Sequence, residues 1–505
     1  ATVITYTQEG TVLLPPRIVR WDGIPLPGGA ATTVSFIVQA DHTITNDDYA
    51  VACADGRSAR GQRAVETTIT SIIYLPLIMR NASPGTIFMP PPSAYHISAS
   101  PADLAWLAER PYYNDTIPAT FFHERGWEVD MRYRGDTSRL MPKKSWKLFF
   151  PGSDLFQGNE ELNLNADYID QTLLRSAVGY NFLARAGVPA PHDTYARVYL
   201  NGEYAGLYSQ VEQIDKRFLH RWETDMQGNL YKGYGNLEPP KPHEDHFEWW
   251  DDHYSKKTHC DSGLEDIRTF VGRLNDIPEA DFPTAIAEIL DVNEWFDWYA
   301  ANILLGNFEM LSKNYYLYHD FSRERWIVLP WDVDLSLGHN AGWHDLFDET
   351  LSWDNPIDSG TLESKKIDGK WNVLIERMMN IPEFRYFHGR RLIEMMASPD
   401  GAFSPEATFP YIDGYFEAIQ PYGEADTHRW RPAGFEFAHG PAEIKYYVTH
   451  RRAWLYDQLP AFMPDLHPPL VLNEVMVHNT ATLSDATGAY APWLHILDAD
   501  TGSRS

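Results

Sequence analysis

The stretch NYYLYHDFSRERWIVLPWDVDLSLG, from Asn314 to Gly338, restricts the fold more than any other part of the chain. Two runs rich in β-branched and aromatic residues flank a short polar connection, FSRE, which predicts a β-hairpin. Pairing Asp320 with Trp326, Tyr318 with Val328 and Tyr316 with Pro330 sets Asn314 opposite Asp332. Side chains alternate along a strand, so one face carries Ile327, Leu329, Trp331, Val333 and Leu335, with Tyr315 and Leu317 opposite. The other face ends in Asn314, Asp332 and Asp334. A slip by one residue would bury the acids and expose the apolar set. Two carboxylates this close repel, so a proton or a cation must separate them. Oxygen ligands from two Asp and an Asn suit a hard ion such as Mg²⁺ or Mn²⁺. Turn capping or pairing with arginine is the alternative that the spacing leaves open.

The bulk charge narrows the partners. Lys and Arg number 42 against 70 Asp and Glu, a net charge of −28, which argues against nucleic acid or an anionic membrane held by the overall field. No run approaches the roughly 20 apolar residues of a membrane helix, so no membrane insertion is expected. No signal segment is visible, and the chain reads as a fragment or processed form. Cys53 and Cys260 are too few and too far apart for a disulfide framework or a zinc site. The sequons at Asn81 and Asn114 are read as chance occurrences.

The length predicts two to four domains. Residues 1–80 read as β structure, with TTVSFIVQA and TTITSIIYLPLIM as strands. GGAATTVSFIVQADHTITNDDYAVACADG resembles the last strands of a bacterial surface β-sandwich repeat. Residues 81–94, with MPPPS, read as a stiff linker. From 95 to 462 the texture is α+β: a helix over 170–189 stopped by Gly187 and Pro189, a hairpin turning at Asn201-Gly202, and helical patterns over 264–306, 370–397 and 441–458. Residues 468–505 resemble the opening strands of a lamin-tail-like immunoglobulin sandwich, carried by LNEVM, HNT and WLHI. Small all-β modules are therefore expected to flank an α+β centre.

A second chemical signal lies in MRYRGDTSRLMPKKSWKLFF, which holds Arg132, Arg134, Arg139, Lys143, Lys144 and Lys147 in an otherwise acidic chain. Two strands flank a loop with Gly135, Asp136, Thr137 and Ser138, whose N–H groups and hydroxyls suit a phosphate; a solvated basic hairpin is the alternative. Glu309 lies five residues before Asn314, the acid-to-Asn spacing of a kinase catalytic loop.

Taken together, RYRGDTSRLMPKKSWKLFF, LNADYIDQTLLRSAVGYNFLARAGVPAP, VYLNGEYAGLYSQVEQID and NYYLYHD…RWIVLPWDVDLSLG resemble the CotH family of atypical kinases. The resemblance implies a kinase-like fold that binds ATP with Mg²⁺ or Mn²⁺ and phosphorylates Ser or Thr on secreted or cell-surface proteins, with an extracellular location. It implies that Lys147 contacts the nucleotide phosphates, supported by Arg134 and Lys144, that Asn314 with Asp332 or Asp334 holds metal, and that Glu212 is a weaker candidate to orient a lysine. Glu309 falls where the family has Asp as catalytic base, a departure that puts activity in doubt. HEDHFEWWDDHYSKKTHCDSG fits no zinc template and reads as a solvated insertion. Two other function classes stay open: a nucleotide-sugar transferase using Asp332-Val333-Asp334, and a non-catalytic adhesion protein.

Overall fold

The computed structural model describes residues 87–222, 224, 226–241, 246–339, 352–357, 372–431 and 437–463, together with backbone strands inside the flanking segments. The chain divides into units Ala1–Gly85 and Thr86–Ser505. In the first, Thr2–Tyr6 pairs with Phe36–Gln39 and Ile44–Asn46 with Val65–Thr67, both antiparallel. The expected strand beyond Thr67 lies outside the described residues.

The larger unit begins with a closed seven-stranded barrel: β1 (Ser93–Ala99), β2 (Ile117–His123), β3 (Arg125–Tyr133), β4 (Trp146–Phe149), β5 (Glu161–Asn165), β6 (Asp193–Leu200) and β7 (Glu203–Val211). The spatial order is β2-β3-β4-β5-β7-β6-β1, and only β6 and β1 run parallel. Strict alternation in β3 sends Trp127, Val129, Met131 and Tyr133 inward. There Phe121 meets Phe150 and Phe156 edge-to-face at 5.4 and 4.9 Å, pairs worth about 0.5–1.5 kcal/mol each beyond their burial. Asn201 and Gly202 turn the β6–β7 hairpin as expected, both at positive φ. The stretch read as a linker is part of this unit from Ile87: Arg197 Nε donates to the Pro92 carbonyl at 3.1 Å.

Helix α2 (Arg175–Arg185) starts later than its apolar pattern suggests. The Asp170 carboxylate accepts from the backbone N–H groups of Thr172, Leu174 and Arg175, so a capping turn occupies the predicted first turn. The second sheet joins β8 (Asn229–Gly233), β9 (Tyr254–Lys256), β10 (Tyr315–Asp320) and β11 (Arg325–Pro330) in the order β9-β8-β10-β11. The region read as a solvated insertion supplies β9, and Tyr254 in that strand and Trp250 before it are buried. That corrects the expectation, since edge pairing and aromatic burial make it part of the core.

Helix α7 (Val292–Leu305) packs on β11 and ends at Gly306 in the left-handed region. Its last carbonyls are taken by α11 (Gly440–Phe462): the buried Arg451 donates to Ile303 O at 2.7 Å, and Tyr447 Oη to Leu304 O at 2.9 Å. Helix α10 (Pro405–Trp430) contains Pro410 and Pro421, breakers that hide it from a propensity reading. It straps the barrel: Lys143 Nζ meets Asp426 Oδ2 at 2.7 Å, Leu207 N–H donates to the same oxygen at 2.7 Å, and Trp430 Nε1 donates to Ala205 O at 2.8 Å. Gly206 permits this contact, because a Cβ there would lie 2.4 Å from Asp426 Oδ2. No helix of the described residues is long and apolar enough to cross a membrane.

Candidate functional site

The acidic end of the hairpin forms where two segments leave the end of α7. Asn307 N–H returns to Asn302 O at 3.1 Å, and Leu337 N–H donates to Leu305 O at 2.7 Å, so the chain around Glu309 and the chain around Asp334 share one anchor. The register corrects the sequence pairing by one residue: Tyr315 faces Pro330, Tyr318 faces Ile327 and Asp320 faces Arg325. The turn decides this. The Asp320 carboxylate accepts from Ser322 N–H, Ser322 Oγ and Arg323 N–H, which closes a loop over 321–324. The slip exposes nothing, because Trp326 and Val328 are as buried as Ile327 and Leu329; both faces of this sheet are covered.

Asp334 lies within the fields of Asp332 and Glu309 all the same, by a route that strand alternation does not describe. β11 ends at Pro330, and Asn314 and Asp332 take φ of 59° and 56°. These left-handed kinks re-aim side chains that the corrected register would have separated. Asn314 Nδ2 donates to Glu309 Oε2 at 2.8 Å, and Lys313 Nζ meets Glu309 Oε1 at 2.6 Å. Asp332 N–H donates to Tyr180 Oη at 2.9 Å, while its carboxylate stays clear of that bond. Burial pushes the Asp334 carboxyl well up, and the negative fields of Asp332, Asp167, Glu309 and Asp170 add to it. Among the described residues Asp334 has neither a cation nor a hydrogen-bond donor.

The predicted basic residues have three separate fates. Lys147 is held by Glu161 at 2.7 Å, with Gln213 Oε1 at 3.3 Å; burial lowers its pKa and Glu161 opposes that shift. Arg134 lies with its guanidinium 5.9 Å from the Trp331 ring centroid. Lys144 instead donates to Arg139 O at 2.7 Å and staples the loop. That loop is stiff: Arg139 holds Gly135 O, Tyr113 O and Asn114 Oδ1, and a Cβ on Gly135 would lie 2.0 Å from Ser138 Oγ. Glu212 orients no lysine. It pairs with Arg221 at 2.5 Å and accepts His192 N–H at 2.9 Å, so Glu161, across the β4–β5 ladder, takes the role considered for it. The sequence signal for Glu161 was only its place on an alternating strand.

Three buried acids escaped the sequence reading. Asp170 caps α2 and pairs with Arg175 at 2.5 Å. Asp193 accepts from Ser176 Oγ at 2.5 Å, and burial pushes its carboxyl well up. Asp167 accepts from Ser209 Oγ and is pushed up to about 7, by burial first, with Asp170 and Asp332 adding to it. The native Asp167 therefore keeps a proton that the unfolded chain loses near pH ~3.9. Its stabilisation is complete below that pH and is lost as pH rises towards about 7. We expect the metal-free protein to lose stability between about pH 4 and about pH 7, and Asp167→Asn to flatten that slope, measured as denaturant midpoints.

Among the described residues no three His, Cys, Asp or Glu side chains form a ready metal cage. The histidine-rich stretch has other contacts: His253 stacks on Trp249 at 3.9 Å, His259 Nδ1 lies 3.0 Å from Asn229 Oδ1, and Cys260 is free and exposed; the side chains of His243 and His246 lie outside the described residues. The donor set at the hairpin still fits a hard divalent ion. Mg²⁺ is commonly held by one or two carboxylates with phosphate oxygens and water completing the shell, and Asp334 is a recessed carboxylate with no partner among the described residues.

A rigid basic loop, a lysine–glutamate pair and a group of interacting acids are the features of a kinase-like protein. The family model described as CotH kinase protein matches residues 131–455, and the chain belongs to that family. It is 26% identical over 375 residues to inner spore coat protein H of Bacillus subtilis (strain 168), covering 72% of this chain and 97% of that protein. Among solved structures it is similar to the Helicobacter pylori proinflammatory kinase CtkA (9% identity, TM-score 0.29, 69% of this chain and 91% of that one). It is also similar to a chain of the Shewanella oneidensis MR-1 HipA, HipB and operator DNA complex (10% identity, TM-score 0.27, 79% and 77%). At these TM-scores neither structure bears on the geometry described above.

Proposed function

We propose that this chain is an atypical protein kinase that uses ATP with Mg²⁺ or Mn²⁺ to phosphorylate Ser or Thr on secreted or cell-surface proteins, with its flanking β segments serving as surface modules. The observation that carries this reading is Glu309, fixed by Asn314 and Lys313 beside the recessed Asp332 and Asp334. Lys147, aimed by Glu161, and Arg134 would bind phosphate oxygens, and Lys144 would keep the loop above them closed. The acceptor hydroxyl oxygen would form a bond to the terminal phosphorus while the bond to the departing diphosphate breaks. Glu309 would take the hydroxyl proton. Asn314, Asp332 and Asp334 would hold the divalent ion, which neutralises phosphate charge when bound.

One observation favours a non-catalytic reading: both Glu309 oxygens are already engaged, by Lys313 and by Asn314. The nucleotide-sugar alternative is weakened by the antiparallel hairpin that leads into the two acids. The test is incubation with terminally labelled ATP, Mg²⁺ or Mn²⁺ and a generic acceptor protein. Labelling is expected from the wild type. Glu309→Asp should change the rate by up to about 10²-fold, since a methylene moves the carboxylate by about 1 Å. No labelling by either form, with no nucleotide bound in calorimetry, overturns the kinase reading in favour of the non-catalytic one.

A further inference from the structure

Two opposite charge surpluses meet around Trp331. The anionic one is Asp332 with Asp334. The cationic one includes a residue that no motif marks. Lys232 lies on β8, opposite Tyr316 in the ladder, with its Nζ 6.0 Å from the Trp331 ring centroid. Arg134, from the barrel, approaches the same ring at 5.9 Å. Trp331 is itself buried and set edge-on against Tyr316 at 5.5 Å, so the ring is a fixed partition on which both cations rest.

The neighbouring lysines are neutralised within the protein: Lys147 by Glu161 and Lys313 by Glu309. Lys232 and Arg134 have no ion pair among the described residues. Lys232 is nonetheless withdrawn from water. Burial lowers its pKa and Arg134, Lys257 and Lys313 act in the same sense, opposed by Asp332. A recessed cation without a partner is costly unless an anion completes the site. Beside it, two carboxylates require a proton or a cation, and a divalent ion would let both ionise. A polyphosphate carrying a divalent ion satisfies both demands at once.

Resting on the kinase reading above, we propose that Lys232 is a phosphate-binding residue that reaches the terminal phosphate oxygens of a nucleoside triphosphate from the second sheet, with Arg134 beside it on the Trp331 ring. Lys232 binds and neutralises phosphate charge and transfers no proton. This role separates it from a lysine that only balances Asp332.

The test is calorimetry on the full chain, comparing wild type, Lys232→Met and Lys232→Arg. The probes are a non-hydrolysable ATP analogue with Mn²⁺, inorganic tripolyphosphate with Mn²⁺, adenosine, and Mn²⁺ alone. Lys232→Met should bind the analogue and tripolyphosphate at least about tenfold more weakly, as expected for a lost charge-assisted contact. Adenosine binding should not change. Mn²⁺ alone should bind equally or more tightly, because Asp332 loses a competing cation, and Lys232→Arg should recover most of the loss. Triphosphate binding by Lys232→Met within about twofold of wild type, or a parallel loss for Mn²⁺ alone, overturns the proposal. If Lys232→Met fails to fold, Lys232→Gln against Lys232→Arg decides by the same criteria. Wild type that binds no triphosphate with Mn²⁺ sinks the kinase reading itself, whereas wild-type binding with an indifferent Lys232→Met sinks only this inference.

Discussion

Asp332→Asn is expected to reduce phosphoryl transfer by about 10³-fold while the protein stays folded. Removing one preorganised group that stabilises transition-state charge costs about 10²–10³ in rate, and here a formal charge is lost as well. Asn is the informative replacement. Asp332 sits at φ 56°, where Asn is tolerated and other residues are strained. The native contact at this position is a backbone N–H donated to Tyr180 Oη at 2.9 Å, which the substitution keeps. Removing one of the charges that raise the Asp334 pKa should leave the melting temperature of the metal-free protein unchanged or higher. Incorporation of labelled phosphate, read beside a thermal melt, checks both halves. Undiminished labelling would show that Asp332 is not part of the reacting centre.

The second large effect concerns stability alone. Asp426→Ala should destabilise the protein by about 3–5 kcal/mol, the usual result of breaking a buried ion pair from one side. Lys143 and Asp426 are 1% and 0% exposed and meet at 2.7 Å. Without Asp426, Lys143 keeps the carbonyls of Ala166 and Leu207 and the Tyr208 ring but loses its paired carboxylate, and the Leu207 N–H loses its acceptor. Lys143→Met combined with Asp426→Leu should recover part of the loss, because no charge is then stranded, though the Leu207 N–H would still cost about 1–3 kcal/mol. Urea midpoints at constant slope would measure this. An Asp426→Ala midpoint equal to wild type would mean that α10 does not strap the barrel.

Several elements were legible because their signals are local. The β3–β4 hairpin, the Asn201-Gly202 turn and the end of α2 at Gly187 follow from alternation, turn chemistry and breakers within a few residues. Helix α10 was missed because Pro410 and Pro421 argue against a helix, and only its packing on the barrel and α11 overrides them. The basic cluster was visible as a cluster but not as three roles. Lys143, Lys144 and Lys147 differ by which strand, carbonyl or acid lies opposite, and that depends on partners far along the chain. Glu161 and Lys232 carried no motif for the same reason.

By itself the sequence determined the family, the order of the site segments and the residue types at the acidic tip, because these are properties of contiguous stretches. Tertiary structure alone decided the hairpin register, the left-handed turns that bring Asn314 to Glu309 and re-aim Asp332, and the choice of Glu161 over Glu212 as the partner of Lys147. The physical reason is that charge–charge energies and ladder pairings depend on distance through space, and no spacing along the chain encodes that distance until the barrel, the second sheet and α10 have packed.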